Sequence, residues 1–317
     1  MVCPFFLKGF DLDKARGECY TCHILLQKIN MKKPTLINTY NLVFKALTRQ
    51  QKLWVPFVIF MFTELVLFML LYVAPRQPFS VVLAPPIKAF WGARFLHYPA
   101  NFLLLPKLGA LLRNYLTIFL GSFLTGTAVV LFAEAFQEKR VKLREGFKAG
   151  LKKYFSLLIV VSLMTVILFG LVRLLEIGLT RYFISGHKTL LFLKPQIWMG
   201  PLLVAINLVV AVLIQGMFVY VFPLLMLNNV KLLPALLRSP AIFIKLFWPT
   251  VSLIVLPFLF YMPIIVLQFK TGFLIDRVFP EAVLYVCIAG IVLSSLVLDL
   301  LITFSTTALF LQNQEKI

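Results

Sequence analysis

Long runs of hydrophobic residues dominate the chain, and six of them are long enough to cross a membrane. A transmembrane helix needs about 20 apolar residues. A membrane-spanning strand would alternate apolar and polar positions, which these runs do not do. The pattern predicts an all-α, polytopic protein with a single six-helix membrane domain at 31–317. Its predicted transmembrane helices are 54–74, 116–136, 154–175, 199–227, 248–268 and 282–311.

Amphipathic segments precede the first, third and fifth of these helices. In the first segment one helical face carries the apolar residues, and the basic residues lie elsewhere. That face consists of Leu36, Ile37, Tyr40, Val43, Phe44 and Leu47. Similar spacing occurs over 143–154 and, less regularly, over 231–245. Such helices lie in the membrane interface, so we expect three parallel hairpins, each preceded by an interfacial amphipathic helix and related by an axis along the membrane normal.

Two segments are expected to depart from straight transmembrane helices. Residues 75–113 form the first outer connection, whose aromatic residues suit a loop lying on the membrane interface. In the fifth helix, Pro257 and Pro263 each lack a backbone N–H group. We therefore expect these two prolines to bend or break that helix.

Composition favours a membrane protein and opposes a nucleic-acid-binding one. Hydrophobic residues make up 61% of the chain and charged residues 14%, against about 45–50% and 25% in soluble domains. The net charge is +19, but the basic residues lie between apolar runs, so no nucleic-acid partner is expected. With both termini inside, the inner segments hold 20 of the 31 Lys and Arg residues. This predicts an N-in, C-in protein whose basic segments contact lipid headgroups. We expect it in the cytoplasmic membrane of a prokaryote, with membrane lipids as partners and a membrane protein as an alternative partner.

The segment C-Y-T-C-H, Cys19 to His23, fits the C-x-x-C-H pattern of covalent haem attachment. C-type haem is attached on the outer membrane face, whereas this segment lies in a basic region that is expected inside. A zinc site could use Cys3, Cys19, Cys22 and His23, but paired C-x-x-C knuckles are missing. We therefore expect no metal and no cofactor, and we interpret residues 1–30 as a leader or mis-called extension that is disordered.

The run Y-V-F-P-L-L-M-L-N-N-V-K-L-L-P-A-L-L-R-S-P, residues 220–240, carries a resemblance. It resembles a recurring segment of six-helix bacterial membrane families of unknown function, which are similar to the membrane domain of some glycerophosphoryl diester phosphodiesterases. The matching residues are Tyr220, Phe222, Pro223, Ala235, Leu236 and Ser239. An acidic residue often follows the apolar run in those families, whereas Asn228 and Asn229 stand here. The resemblance implies a fold and no particular activity.

Polar side chains inside the apolar runs are the strongest candidates for a site, because they are costly in lipid and commonly functional. The candidate intramembrane polar site consists of Glu64, Asp299, Ser295, Thr303, Asn207 and Gln215. Neither carboxylate has a cation in its own run, so each is expected to be protonated, bonded across helices or beside water. Two interpretations stay open. One is a proton or cation site, and the other is a set of interhelical hydrogen bonds that fix packing.

Three functions remain possible on this basis. The first is a non-catalytic membrane module that binds lipid or supports a membrane partner. The second is a small-solute or ion transporter that uses Glu64 and Asp299. The third is a lipid-modifying enzyme that uses His97 in the first outer connection. Sequence motifs of soluble enzymes are absent, and no catalytic residue is assigned.

Overall fold

The computed structural model describes residues 36–73, 80–185 and 195–314, and these residues contain helices and turns but no strand. The chain divides into two units, Met1–Lys33 and Pro34–Ile317, and the described residues all belong to the second. Six of their helices are long and apolar enough to cross a membrane, as expected for a multi-pass membrane protein. These six, numbered spans 1 to 6 in chain order, are Gln51–Val73, Asn101–Phe136, Tyr154–Gly178, Ala205–Met226, Phe247–Phe269 and Ala282–Gln312.

Fourteen α-helices make up the described part of the chain. Those up to the end of span 2 are α1 (Leu36–Arg49), α2 (Val55–Val73), α3 (Ser80–Trp91), α4 (Asn101–Leu116) and α5 (Ser122–Phe136). The next five are α6 (Leu143–Lys152), α7 (Tyr154–Ser185), α8 (Pro195–Val219), α9 (Val221–Met226) and α10 (Leu232–Lys245). The last four are α11 (Phe247–Phe269), α12 (Thr271–Arg277), α13 (Ala282–Leu293) and α14 (Leu300–Gln312). Wider π-helical turns join α4 to α5 and α13 to α14.

Residues 80–113 are largely helical, which corrects the prediction of a loop for this part of residues 75–113. They contain α3, and span 2 begins at Asn101 instead of residue 116. Lys107 and Arg113 lower the hydropathy of this part of the helix. Lys107 is exposed, and Arg113 bonds to carboxylates of other helices. A helix that satisfies its charges in these ways does not need an apolar sequence, so apolar length alone places its start too late.

Span 5 runs as one helix through both Pro257 and Pro263, so the expectation that they could break it is wrong. A proline leaves the carbonyl four residues earlier without its helical N–H partner. For Pro257 that carbonyl belongs to Leu253, and the Tyr40 hydroxyl of α1 donates a hydrogen bond to it at 3.1 Å. Burial raises the pKa of Tyr40 to about 12, so the hydroxyl keeps its proton at neutral pH. A side chain of α1 thus replaces the backbone donor that span 5 lacks.

The amphipathic segments are helical and gather at one end of the bundle, here called the basic end. Helix α6 packs mainly on α5, α10 packs on α8 and α9, and α1 packs mainly on α14. The first two follow the span on which they pack, whereas α1 packs on the last span of the chain. Thr39 of α1 donates a hydrogen bond to the Gln312 side chain at 3.3 Å. Helix α1 therefore contacts span 6 at the basic end.

Only part of the predicted apolar face of α1 is buried against the rest of the protein, and the other part is exposed. Val43 and Leu47 are buried in the bundle, whereas Ile37 and Phe44 are exposed. Thr39, which was not assigned to the apolar face, is also buried. Helix α1 therefore presents one side to the bundle and leaves a second apolar side uncovered by the described residues.

Aromatic contacts join spans 1, 2 and 6 in the apolar cluster that also contains Val43 and Leu47 of α1. The rings of Phe132 and Phe304 stack with centroids 4.8 Å apart, and Phe57 meets Phe304 edge-on at 5.3 Å. Both geometries are favourable for aromatic pairs. These three spans also carry the charged residues described next.

Candidate functional site

Arg113 joins two carboxylates that come from two other spans. Its Nη1 donates to Glu64 Oε2 at 2.7 Å, and its Nη2 donates to Asp299 Oδ2 at 2.7 Å. The Ser295 hydroxyl donates to the same Glu64 oxygen at 3.3 Å. Each carboxylate thus receives one charge-assisted bond from a different nitrogen of the guanidinium. We call Glu64, Arg113 and Asp299 the carboxylate–arginine cluster.

The cluster lies near the middle of the spans and beside both π-helical turns. Glu64 projects from α2, and Arg113 lies in the last turn of α4. The turn Thr117–Gly121 follows that helix directly. The second turn, Ser294–Asp299, contains both Ser295 and Asp299. Wide turns of this kind are rare inside α-helices and frequently occur at functional sites.

The three charged side chains differ in exposure. The Glu64 side chain is 3% exposed, that of Arg113 24% and that of Asp299 35%. With both carboxylates ionised, the cluster carries a formal charge of −1, because one guanidinium faces two acids. The Phe60 ring lies 5.7 Å from Arg113 Cζ and stabilises the cation further. In that ionisation state the surplus negative charge lies inside the bundle, and Asp299 is the most exposed member of the cluster.

A cavity of about 130 Å³ lies against Asp299, and spans 1, 2, 3, 4 and 6 line it. We call it the central cavity. Its polar lining comes from Asp299 together with Thr117, Ser122, Thr125, Gln215, Thr303, Thr306 and Thr307. The remaining walls are mainly apolar and include the rings of Phe57, Phe60 and Phe222. A mostly apolar cavity with a few convergent polar groups is typical of a small-molecule site.

The structure brings together part of the predicted polar site. Glu64, Ser295 and Asp299 meet at the cluster. Thr303 and Gln215 line the central cavity. Asn207 belongs to neither group, and its side-chain oxygen is buried without a hydrogen-bond partner among the described residues.

Arg113 is the functional residue that the sequence prediction missed. It was assigned to the first outer connection, because it precedes the apolar run that begins at Leu116. Two intramembrane carboxylates without a cation in their own spans point to a cation elsewhere in the chain. The helical spacing of Phe102, Leu105 and Leu112 before that run is compatible with a longer helix, and it could have shown where that cation lies.

The residues that carry the family resemblance have packing roles. Tyr220 and Ala235 are fully buried in one apolar cluster, and the Ser239 hydroxyl donates to the Met217 carbonyl at 2.5 Å. The Tyr220 and Thr250 hydroxyls are 2.5 Å apart. Thr250 donates its single proton to the Leu246 carbonyl, so Tyr220 is the donor in this pair. Three further matching residues, Phe222, Pro223 and Leu236, lie in the same region.

The structure does not place the remaining candidate residues in a binding or catalytic site. Cys3, Cys19, Cys22 and His23 lie outside the described residues, and so does the interpretation of residues 1–30 as a disordered leader. His97 is exposed. Within the described ranges, no group of three or more His, Cys, Asp or Glu side chains could hold a metal ion.

No family model, no curated protein and no solved structure matches the chain.

Proposed function

We propose that the protein is a small-solute or ion transporter whose coupling site is the carboxylate–arginine cluster. The observation that carries this proposal is a pair of carboxylates that share one arginine at mid-span, in contact with a cavity lined by five of the six spans. Ionisable groups inside transmembrane helices commonly mark ion and substrate pathways. Transporter sites also tend to lie near the membrane midplane and beside irregular helices.

The cluster can change how strongly spans 1 and 6 are held together. Arg113 holds Glu64 with one nitrogen and Asp299 with the other. A proton or monovalent cation on either carboxylate removes the charge that attracts the guanidinium there. The bond from Arg113 to that span then weakens, and the two spans become free to separate. Binding and release of one positive charge at the cluster thus shifts the equilibrium between two arrangements of the bundle, as alternating access requires.

A purely structural role is the principal alternative, and the geometry favours transport over it. A structural tie between helices is most stable when it is electrically neutral and fully enclosed, because a buried surplus charge is costly. Here a second acid accompanies a single arginine, and that acid is 35% exposed and lines the cavity. This arrangement supports a site that takes up a cation.

The test is proton flux into vesicles that contain the purified full chain. A potassium diffusion potential drives protons inward, and a pH-sensitive dye inside the vesicles reports them. We expect flux above that of protein-free vesicles, and we expect Glu64→Gln and Asp299→Asn to abolish it. Glu176→Gln serves as the control, because it removes a carboxylate from an exposed pair with Arg173. Equal flux in the wild type and both cluster variants would contradict the coupling role.

We further propose that the three amphipathic helices lie in the cytoplasmic interface and that both termini are inside. Three parallel hairpins, each preceded by one such helix, would pack around an axis along the membrane normal. The successive packing of α6 on α5, α10 on α8 and α1 on α14 supports this repeat. Single cysteines at Lys148 and Tyr98, labelled from either side of sealed vesicles, test the orientation. We expect them to react from opposite sides, with Lys148→Cys reacting from inside.

A second candidate function, lipid binding at the basic end, rests on a separate observation. Helix α10 exposes Leu233, Leu237 and Ile244, and α6 exposes Leu151 beside its basic residues. Exposed apolar side chains beside basic ones favour contact with anionic lipid. The likeness of residues 220–240 to six-helix membrane families likewise stays a proposal about fold. Native mass spectrometry of the protein extracted from its own membrane tests whether lipid stays bound.

A further inference from the structure

We infer that the central cavity is a binding site for a small primary ammonium ion held by Asp299. This inference rests on the proposed transport function, because it names the substrate class that the cavity admits. Its basis is the charge, the hydrogen-bonding groups and the size of the cavity.

The charge of the carboxylate–arginine cluster favours a cation over an anion as the ligand. The carboxylate–arginine cluster carries one more negative than positive group, and Asp299 is its member that lines the cavity. In surroundings of low dielectric constant an unbalanced charge strongly attracts an opposite charge and repels a like one. An anion is therefore excluded, and a monovalent cation makes the cluster neutral.

Three threonine hydroxyls that line the cavity differ from the other threonine hydroxyls of the spans, including Thr306 and Thr307, which line the same cavity. A threonine hydroxyl in a helix usually donates to the carbonyl four residues earlier. In the spans it does so at Thr63, Thr127, Thr165, Thr250, Thr306 and Thr307. In the same described segments the Thr117, Thr125 and Thr303 side chains make no hydrogen bond, and all three line the cavity. Among the threonines of the described spans, those without a hydrogen bond thus all lie at the cavity, where a ligand would bind.

Acceptor groups beside Asp299 suit the three N–H donors of a primary ammonium ion. Thr303 follows Asp299 by four residues, so the hydroxyl and the carboxylate share a helical face. Gln215 of span 4 adds a carboxamide to the cavity lining. One carboxylate and two neutral oxygens can therefore receive one N–H bond each.

Size and apolar walls favour an organic cation over a hydrated metal ion. Phe57, Phe60 and Phe222 present aromatic rings to the cavity, and such rings attract organic ammonium groups. A cavity of about 150 Å³ holds benzene, so the 130 Å³ found here limits the ligand to a similar number of heavy atoms. A short alkylammonium ion meets all these conditions.

The experiment is calorimetric titration of the full chain in detergent with propylammonium chloride. The neutral isostere 1-propanol, the anion propionate and sodium chloride are titrated in parallel. We expect saturable binding of propylammonium alone. Thr303→Val removes one acceptor at constant shape and is expected to raise the Kd about tenfold, whereas Thr303→Ser is expected to restore it. Thr165→Val is the matched control, since that hydroxyl is bonded to its own helix and lies outside the cavity lining.

Three outcomes would overturn the inference. They are no saturable binding of propylammonium, binding of propanol or propionate equal to that of propylammonium, and an unchanged Kd in Thr303→Val. Because Thr303 lies outside the cluster, this variant keeps the test decisive even where Asp299→Asn fails to fold. Proton flux that depends on Glu64, together with no binding, would reject the ammonium ligand and leave the coupling site in place. Saturable binding of propylammonium without proton flux would support the cavity as a binding site and reject the coupling role of the cluster.

Discussion

At the scale of single residues, Arg113 joins three spans through its two ion pairs. It is a cation whose two partners come from spans 1 and 6, separated from it by 49 and 186 positions in the chain. Removing one partner from a buried charge pair costs more than replacing the whole pair, because an unpaired charge stays behind. The stability of the bundle is therefore expected to depend on charge balance more than on the number of ionic contacts.

The variant Arg113→Gln tests this charge balance. It leaves two carboxylates without a cation, and we expect it to lower the free energy of unfolding by about 3 kcal/mol. The triple variant Glu64→Gln, Arg113→Gln, Asp299→Asn replaces every charge by an amide and is expected to recover at least half of that loss. The measurement is reversible unfolding in mixed micelles. A triple variant less stable than Arg113→Gln would show that the remaining carboxylates stabilise the bundle.

The sequence predicted the acids of the site but not their cation, for a physical reason. Glu64 and Asp299 stand out because each interrupts an apolar run. Arg113 lies in a stretch that also contains Lys107 and Asn114, which resembles a polar connection when considered alone. Its partners become adjacent only when spans 1, 2 and 6 pack together. Hydropathy describes single segments, and the pairing of charges depends on tertiary contacts.

At the scale of helices, close packing at the basic end depends on glycine in α6. A Cβ atom added at Gly146 would lie 2.5 Å from Leu131 Cδ2 and 2.9 Å from its Cγ. Leu131 is fully buried, so it has little room to move. The small residue therefore sets the distance between α6 and span 2.

Two alanine variants distinguish packing from helix propensity. Gly146→Ala is expected to lower the free energy of unfolding by about 1–3 kcal/mol, because it overfills a packed contact. Gly170→Ala is expected to be neutral or to raise it by up to about 1 kcal/mol, since no atom lies within 4 Å of the added Cβ. Thermal unfolding midpoints in one detergent compare the two variants. A similar loss in both would refute the packing explanation.

The contact between α1 and span 5 leads to a second prediction at the scale of helices. Tyr40→Phe removes the donor to the Leu253 carbonyl and is expected to cost about 1 kcal/mol of unfolding free energy. In a Pro257→Ala background the backbone regains an N–H at residue 257, so the same change is expected to cost almost nothing. The difference between the two backgrounds is the coupling energy of the pair. Tyr115→Phe, at an exposed position, is the control, and equal costs of Tyr40→Phe in both backgrounds would disprove the replacement.

At the scale of the whole molecule, prediction from sequence succeeded where apolar length decides the structure. Spans 5 and 6 match the predicted bounds within one residue at each end. Span 2 does not, because its first half meets protein and carries charged residues and Pro106. The packing of α1 on the last span was also beyond prediction, since no local pattern identifies a partner at the far end of the chain.

Cross-linking tests this closure of the chain. Cysteines replacing Thr39 and Gln312, in a background without the native cysteines, are expected to be bridged by a short bismaleimide within one chain. A pair at Thr39 and Gly178 is the control, because Gly178 ends span 3 away from the basic end. Intact mass spectrometry distinguishes a bridged monomer from a dimer. Absence of the bridged monomer, or bridging of the control pair, would contradict the described arrangement.

The closure of α1 on α14 has a consequence for the order in which the protein is made. Thr39 and Gln312 are 273 positions apart, which corresponds to roughly 14–55 s of translation at 5–20 residues per second. Glu64 and Arg113 emerge early and can pair as a neutral couple during that interval. Asp299 arrives with the last span and adds the surplus negative charge. Most of the helices are thus made before the second carboxylate of the cluster, and the cluster is complete only once span 6 has been synthesised.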